Sequence, residues 1–332
     1  MKKSWKNLQT VAKKQRFFVQ NKQSLEKQLE IADTIAKPPF FTKEGVYKKS
    51  KENMMNKIGI LGCGVMGEAL AKAMLKKTEG KNIFLFDIDT ERTKKLAEKL
   101  SCKTAPSSSD LVKTVDFLLL AIKPIHVKNL LTEIASEYYQ KKPVLISIVA
   151  GIQIESLENM LYSTLPLKTE EKKVKTAFPI IRLMPNVSVL VEEGMIAFSS
   201  NDAVQAKEKD FVIDLLEKTG KIEIVPENLM DAVTAISGSG PAYGFLFIEA
   251  LADAAVLLGI PRKQAYIYAA QTLKGAAEMV LETGEQPGVL KDSVCSPGGT
   301  TIEAVKKLEE KGFRSAIMEA AEAAFKKSRS LG

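Results

Sequence analysis

Histidine is almost missing from this chain. His126 is the only one in 332 residues, so neither a histidine-based hydrolytic triad with an imidazole to spare nor a His-rich metal site can be assembled. It follows an apolar run in Lys123-Pro124-Ile125-His126 and reads as a surface or packing residue. Cysteine is nearly as scarce: Cys63, Cys102 and Cys295 form no Cys-x-x-Cys pair, and an odd count does not suit a disulfide scaffold, so a reducing, cytoplasmic location is expected. Long apolar runs are lacking as well. The longest, at 117–122 and 144–152, are too short to cross a bilayer, and no membrane association is expected. A basic stripe with interleaved aromatics is also absent. Residues 1–56 hold 13 Lys and Arg against 5 Asp and Glu, which is the whole net charge of +8, while residues 57–332 carry 35 of each sign. Nucleic-acid binding by the main body is therefore not expected.

What is present is ordinary globular composition, 45% hydrophobic and 27% charged, enough for two domains with sizeable cores. Residues 1–56 stand apart, with little core pattern beyond a helix at 25–36 that Pro38-Pro39 would end. Their first acid is Glu26 and their one arginine is Arg16. Transit peptides favour arginine, so a disordered extension is expected first and organelle import is the alternative. Met54 and Met55 stand immediately before the first strand, where initiation would leave the extension outside the product.

From Lys57 the pattern alternates. Strands are predicted at 57–61, 82–86, 117–121 and 144–149, with helices at 65–77, 91–100 and 125–139, which implies a parallel sheet covered on both faces. Further strands follow at 182–184, 194–198 and 222–225, and the Lys- and Glu-rich run 167–176 reads as a solvated loop. After Pro226 the strand signals stop, and helices are predicted at 230–236, 241–258, 262–281, 301–310 and 313–328. Several are alanine-rich on more than one face, as at Ala250, Ala252, Ala254 and Ala255. One short helical segment cannot cover so many apolar faces, so a homodimer is expected. The domains are thus an extension (1–56), a dinucleotide-binding domain (57–226) and an all-helical substrate-binding and dimerisation domain (227–332).

Gly62-Cys63-Gly64-Val65-Met66-Gly67 follows a strand and opens a helix, and Asp87 ends the next strand twenty residues later. Gly62 permits the tight turn, Gly64 lets the backbone approach a pyrophosphate, and Gly67 allows close helix–strand packing. Asp87 would accept hydrogen bonds from both hydroxyls of an adenosine ribose and repel a 2′-phosphate, so NADH is expected to be preferred. Arg92 and Lys94 nearby leave NADPH usable. Ala121-Ile122-Lys123-Pro124, Ala150-Gly151 and Arg182-Leu183-Met184-Pro185-Asn186 also end strands, where ligands of open α/β sheets sit. This makes Ala121, Lys123, Pro124, Ala150 and Asn186 candidates for the coenzyme, with plain strand-to-loop punctuation as the other reading.

Two further Gly- and Ser-rich segments precede predicted helices. Ser237-Gly238-Ser239-Gly240-Pro241-Ala242-Tyr243 is expected to present a helix N-terminus, with close helix packing ranked ahead of substrate contact. In Ser296-Pro297-Gly298-Gly299-Thr300-Thr301 the backbone is free to turn unpaired N–H groups outward, and three hydroxyls add adjustable donors, a combination suited to a small carboxylate. An ordinary capped helix is the alternative.

Together these segments resemble the pyrroline-5-carboxylate reductase family over about residues 57–330, the Ile58–Gly67 glycine loop, Ala121–Pro124, the Arg182–Asn186 motif, the Ser237–Tyr243 segment and the Asp292–Thr301 segment each contributing. The resemblance implies an α/β Rossmann-type doubly wound sheet followed by an all-α dimerisation domain, in many members a ring of dimers, and hydride transfer from NAD(P)H to the C=N bond of 1-pyrroline-5-carboxylate to give L-proline. It further implies that Ser296, Gly299 and Thr300, with Gly298 in the same loop, hold the substrate carboxylate, and that Thr301 hydrogen-bonds the ring nitrogen. Gln286-Pro287 stands where the family often has His-Pro, Val187-Ser188 where Thr-Pro is common, and Asp87 where many members carry a phosphate-tolerant residue. A cyclic imine can arrive protonated, so a hydroxyl in place of a strong acid suits the chemistry. The alternatives are a β-hydroxyacid dehydrogenase, for which Lys274 is the candidate acid–base, and a coenzyme-binding regulator without turnover.

Overall fold

The computed structural model describes residues 56–164 and 178–330. The basic extension, the helix expected at 25–36 and the loop expected at 167–176 lie outside the described residues. Strands and helices alternate as β1 (Ile58–Leu61), α1 (Val65–Met74), β2 (Ile83–Phe86), α2 (Thr90–Leu100), β3 (Lys103–Thr104), α3 (Ser108–Thr114), β4 (Phe117–Leu120), α4 (Pro124–Lys141), β5 (Val144–Ser147), α5 (Ile154–Thr164) and β6 (Ile180–Pro185). Then β7 (Gly194–Ser200), α6 (Ala206–Leu216) and β8 (Gly220–Ile224) complete one eight-stranded sheet in the order β3-β2-β1-β4-β5-β6-β7-β8.

The sheet departs from the expected parallel arrangement at one place. Strands β6 and β7 run antiparallel, with Leu183 opposite Phe198. Only residues 186–193 separate them. A parallel crossover needs about a dozen residues or more, so the chain folds straight back through the 3₁₀ turn Val187–Val191. Every residue of β1, β4 and β5 is buried, because helices cover both faces and leave no solvated side for polar residues. The two-residue period then divides each strand between two cores. Phe117 and Leu119 pack with Ile60, Leu70 and Met74, while Leu118 and Leu120 pack with Leu111, Val127 and Leu131. Local signals fix the helix starts: Asp89 accepts the Arg92 N–H at 3.0 Å and Ser107 the Asp110 N–H at 3.0 Å.

After β8 the described residues form helices without further strands: α7 (Met230–Val233), α8 (Gly240–Leu257), α9 (Arg262–Thr283), α10 (Pro287–Ser293), α11 (Thr300–Glu310) and α12 (Phe313–Arg329). The segment 237–240 is not the loop expected from its composition. Thr234–Gly238 form a π turn, the Ser239 N–H donates to the Thr234 carbonyl at 2.9 Å, and Ser239 is itself in the right-handed helical region. Pro241 lacks the N–H that an α turn would direct to the Ser237 carbonyl, and the widened turn accommodates that loss. Helix α7 thereby passes almost without interruption into α8, and no free helix N-terminus is presented there.

The continuous stretch Glu227–Leu257, 31 residues, is long and apolar enough to cross a membrane by length and composition. This corrects the expectation drawn from the short apolar runs, in which Gly238, Gly240 and Pro241 concealed the helix. Within the chain α8 meets α9 through small side chains, Ala252 against Ala265 and Ala269. That leaves Leu246 68% and Ile267 62% exposed in a single chain.

Candidate active site

The carboxyl edge of adjacent parallel strands gathers the expected coenzyme residues. Gly62 ends β1 at φ +107°, and a Cβ there would overlap the Ala121 carbonyl at the end of β4. The Gly62 N–H donates to the Phe86 carbonyl at 2.9 Å and the Ala121 N–H to the Leu61 carbonyl at 2.8 Å, so the ends of β1, β2 and β4 are stitched around the turn. A Cβ on Gly67 would overlap the Gly62 carbonyl, which brings α1 close against the strand. Gly64 is the opposite case, with nothing within 4 Å of where its Cβ would stand. It precedes a helix with no side-chain cap, and among the described residues the first-turn amides of Val65, Met66 and Gly67 have no partners. An anion is the group such a terminus accommodates.

Asp87 braces this loop from the end of β2. Its Oδ2 accepts the Cys63 N–H at 2.7 Å and its Oδ1 the Asp89 N–H at 3.0 Å. Each carboxylate oxygen has two lone pairs, so one remains on each for a ribose hydroxyl. The cations near this acid are already paired: Arg92 lies 3.4 Å from Asp89 and Lys94 3.8 Å from Glu91. Beside them Ile88 is 89% exposed, an apolar surface that the sequence reading did not single out. The open face at Gly64, the unpaired amides and the spare lone pairs of Asp87 fit a dinucleotide. Cys63, inside the loop, is buried, and burial pushes its thiol up to about 11.

Lys123 precedes α4 as its cap residue and is exposed, with Pro124 in the first helical turn. Ala150, half-buried, follows β5 beside Gly151 at φ +78°. Asn186 follows β6, and its side-chain oxygen accepts the Met195 N–H at 3.2 Å, which leaves its amide NH₂ and one lone pair of that oxygen for a ligand. His126 is exposed on α4, and Lys274 is exposed on α9 with no ion pair among the described residues.

The hydroxyl-rich loop belongs to the helical segment. Gly299 is the cap residue of α11, without a side-chain cap, and its N–H donates to the Ser296 carbonyl at 3.0 Å. Gly298 sits at φ +66°, and a Cβ on Gly299 would overlap the Ser296 hydroxyl. Thr300 and Thr301 are the first two residues of α11, the second half-buried. Among the described residues neither they nor Ser296 have a hydrogen-bond partner for their hydroxyls, and the ordinary side-chain cap weighed from the sequence is not formed. Ser296, Gly298, Gly299, Thr300 and Thr301 are thus brought together. No hydrogen bond or ion pair among the described residues joins them to the coenzyme loops of their own chain.

Residues 227–331 match the family model described as pyrroline-5-carboxylate reductase dimerisation, and residues 57–151 match one described as NADP oxidoreductase, coenzyme F420-dependent. The chain is 40% identical over 280 residues to the pyrroline-5-carboxylate reductase of Escherichia coli K12, covering 84% of this chain and 99% of that protein. To the pyrroline-5-carboxylate reductase of Arabidopsis thaliana it is 38% identical over 277 residues, covering 83% and 95%. A crystal structure of Plasmodium falciparum pyrroline carboxylate reductase with NADP bound matches at a TM-score of 0.72 and 34% identity, over 83% of this chain and 98% of that one.

Proposed function

The chain belongs to the pyrroline-5-carboxylate reductase family, and from that premise we propose how its residues divide the reduction of 1-pyrroline-5-carboxylate to L-proline. It is an NAD(P)H-dependent oxidoreductase acting on a CH–NH bond. When bound, the coenzyme supplies the hydride that adds to the C=N carbon. The residues that hold it are Gly62, Gly64, Val65, Met66, Gly67 and Asp87, with Ala121, Lys123, Pro124, Ala150 and Asn186 along the same strand ends. The substrate carboxylate is held by Ser296, Gly298, Gly299 and Thr300. Thr301 donates its hydroxyl hydrogen to, or accepts one from, the ring nitrogen according to that nitrogen's protonation, favouring the charge that leaves the imine carbon electrophilic. The observation that carries this reading is the start of α11, which has no side-chain cap and opens with Thr300 and Thr301 directly after Ser296–Gly299.

NADH is the preferred coenzyme in this proposal. Asp87 would repel a 2′-phosphate, and the two nearby cations able to attract one are engaged by Asp89 and Glu91. NADPH remains usable. The helical segment contains the family's dimerisation domain, and a homodimer covers the exposed faces of α8 and α9, with a ring of dimers as the larger assembly. The cytoplasm is the proposed location.

Steady-state oxidation of NADH and NADPH with pyrroline-5-carboxylate, set against NAD⁺ reduction with a 3-hydroxy acid, tests the reading. Turnover of the imine with the higher kcat/KM for NADH is expected. Turnover of the hydroxy acid alone would move the acid–base role to Lys274, and a higher kcat/KM with NADPH would remove the coenzyme proposal while leaving the substrate.

A further inference from the structure

Four elements of the chain meet at Arg182. Its side chain, on β6, is 1% exposed, yet only part of its hydrogen-bonding capacity is met. Nη1 donates to Glu227 Oε1 at 3.0 Å, whereas Nη2 stops 4.0 Å from Asp231 Oδ1, and neither Nε nor Nη2 has a hydrogen-bond partner. Both acids reach further. Glu227 Oε1 accepts the N–H of Ile154 at 2.7 Å, at the start of α5 just beyond Ala150, and Asp231 Oδ1 accepts the Ser328 hydroxyl at 2.8 Å, near the end of α12. One buried cation therefore links the sheet, a coenzyme-side loop, the start of the helical segment and the last helix. Among the described residues, every ion pair between 57–226 and 227–330 is made by Arg182.

Native interiors leave few guanidinium N–H groups unpaired, and such groups mark places where a second arrangement can satisfy them. Here that arrangement is close at hand, because an approach of about 1 Å would turn the Arg182–Asp231 contact into a charge-assisted hydrogen bond. The movement would shift α7 and, through the Ser328 hydroxyl that Asp231 holds, the end of α12 relative to the strand ends. We propose that Arg182 is a positioning residue for imine reduction, holding through Glu227 and Asp231 the angle at which the helical segment meets the coenzyme-binding edge of the sheet. This rests on the site reading given above.

The test compares Arg182→Met, Arg182→Lys and Asp231→Asn with the wild-type dimer, measuring NADH affinity by fluorescence, kcat and KM with pyrroline-5-carboxylate, and amide hydrogen exchange at Ile154. Arg182→Met should lower kcat at least tenfold and speed exchange at Ile154, with the NADH dissociation constant within twofold, since the glycine loop is untouched. Arg182→Lys should recover part of kcat through Glu227, and Asp231→Asn should lower kcat about threefold. Wild-type kcat in a dimeric Arg182→Met or Asp231→Asn protein would overturn the proposal. So would a loss of NADH affinity parallel to the loss of kcat, which would mark a merely structural role in the sheet. If Arg182→Met does not fold, Asp231→Asn and Arg182→Lys decide by the same criteria. A wild-type enzyme that binds NADH but does not turn over the imine would instead remove the site reading, and exchange at Ile154 would then judge the junction alone.

Discussion

The sheet segment and the helical segment of this chain are stabilised on different terms. The sheet has two cores of its own, one on each face, built from large side chains such as Leu70, Met74, Leu118 and Leu119. Between α8 and α9 the fully buried contact consists of Ala252, Ala265 and Ala269, with Ile248 and Val256 half-buried against it, while Leu246 and Ile267 on the same helices face outward. A half that buries its apolar surface internally can be rigid before it meets anything else. A half that does not must acquire its burial from a second surface, which is the ordinary condition of an obligate interface. The coenzyme loops stand on the first kind of support, and the Ser296–Thr301 loop on the second.

Substitution in the sheet core should give the largest loss of folding free energy. Leu119→Ala, at a fully buried position, is expected to cost about 2–5 kcal/mol by denaturant unfolding, without weakening association of the folded subunits. Leu246→Asp should do the reverse. It is expected to weaken the dimer by about 2–4 kcal/mol, roughly thirtyfold to a thousandfold in dissociation constant by sedimentation, while the sheet keeps its stability. A Leu246→Asp protein that remains dimeric at nanomolar concentration would place the interface elsewhere.

The next pair of changes separates the two halves by function. Thr301→Ala, on the helical side, should lower kcat more than it raises KM, by about 1–3 kcal/mol or roughly fivefold to 150-fold, with Thr301→Ser recovering much of the loss. Asp87→Ser, on the sheet side, should leave kcat with NADH largely intact. It should shift the NADH to NADPH ratio of kcat/KM toward NADPH by about tenfold, because a carboxylate repels a phosphate at close range.

The smallest effect lies on the helix that follows the glycine loop. Glu68 on α1 pairs with Lys72 at 2.7 Å and with Lys99 of α2 at 3.0 Å, and these hydrogen bonds hold its carboxyl below the usual carboxylate range. A depressed acid adds stability above its unfolded pKa and loses it as pH falls through the folded value. Glu68→Gln should therefore cost less than about 1 kcal/mol at neutral pH, given the exposure of all three groups, and nothing in strong acid. Thermal melts at pH 7 and pH 3 would check both the size and the sign.

Much of this contrast was legible in the residues. The apolar runs of β1, β4 and β5 and the Gly62–Gly67 spacing are local signals, and the structure places those elements within a residue or two of expectation. The alanine-rich helices pointed correctly to faces left uncovered. What escaped depends on geometry that composition does not encode. The antiparallel turn between β6 and β7 was available only from the brevity of residues 186–193, and Gly238, Gly240 and Pro241 read as a break because π turns tolerate the same small residues as loops. The Arg182 junction joins positions 45 and more residues apart in sequence, and no periodicity announces it.

Cys63 sits in the turn between β1 and α1, and burial pushes its thiol up to about 11, far above neutrality. Burial keeps it the thiol rather than the thiolate, and the thiolate is the nucleophile that attacks peroxides and disulfides. A sulfur in that turn could otherwise have become an oxidant's switch, shutting off reductive chemistry when the surroundings turn oxidising. Buried and protonated, Cys63 serves that turn as a packing group rather than as a reactive thiol.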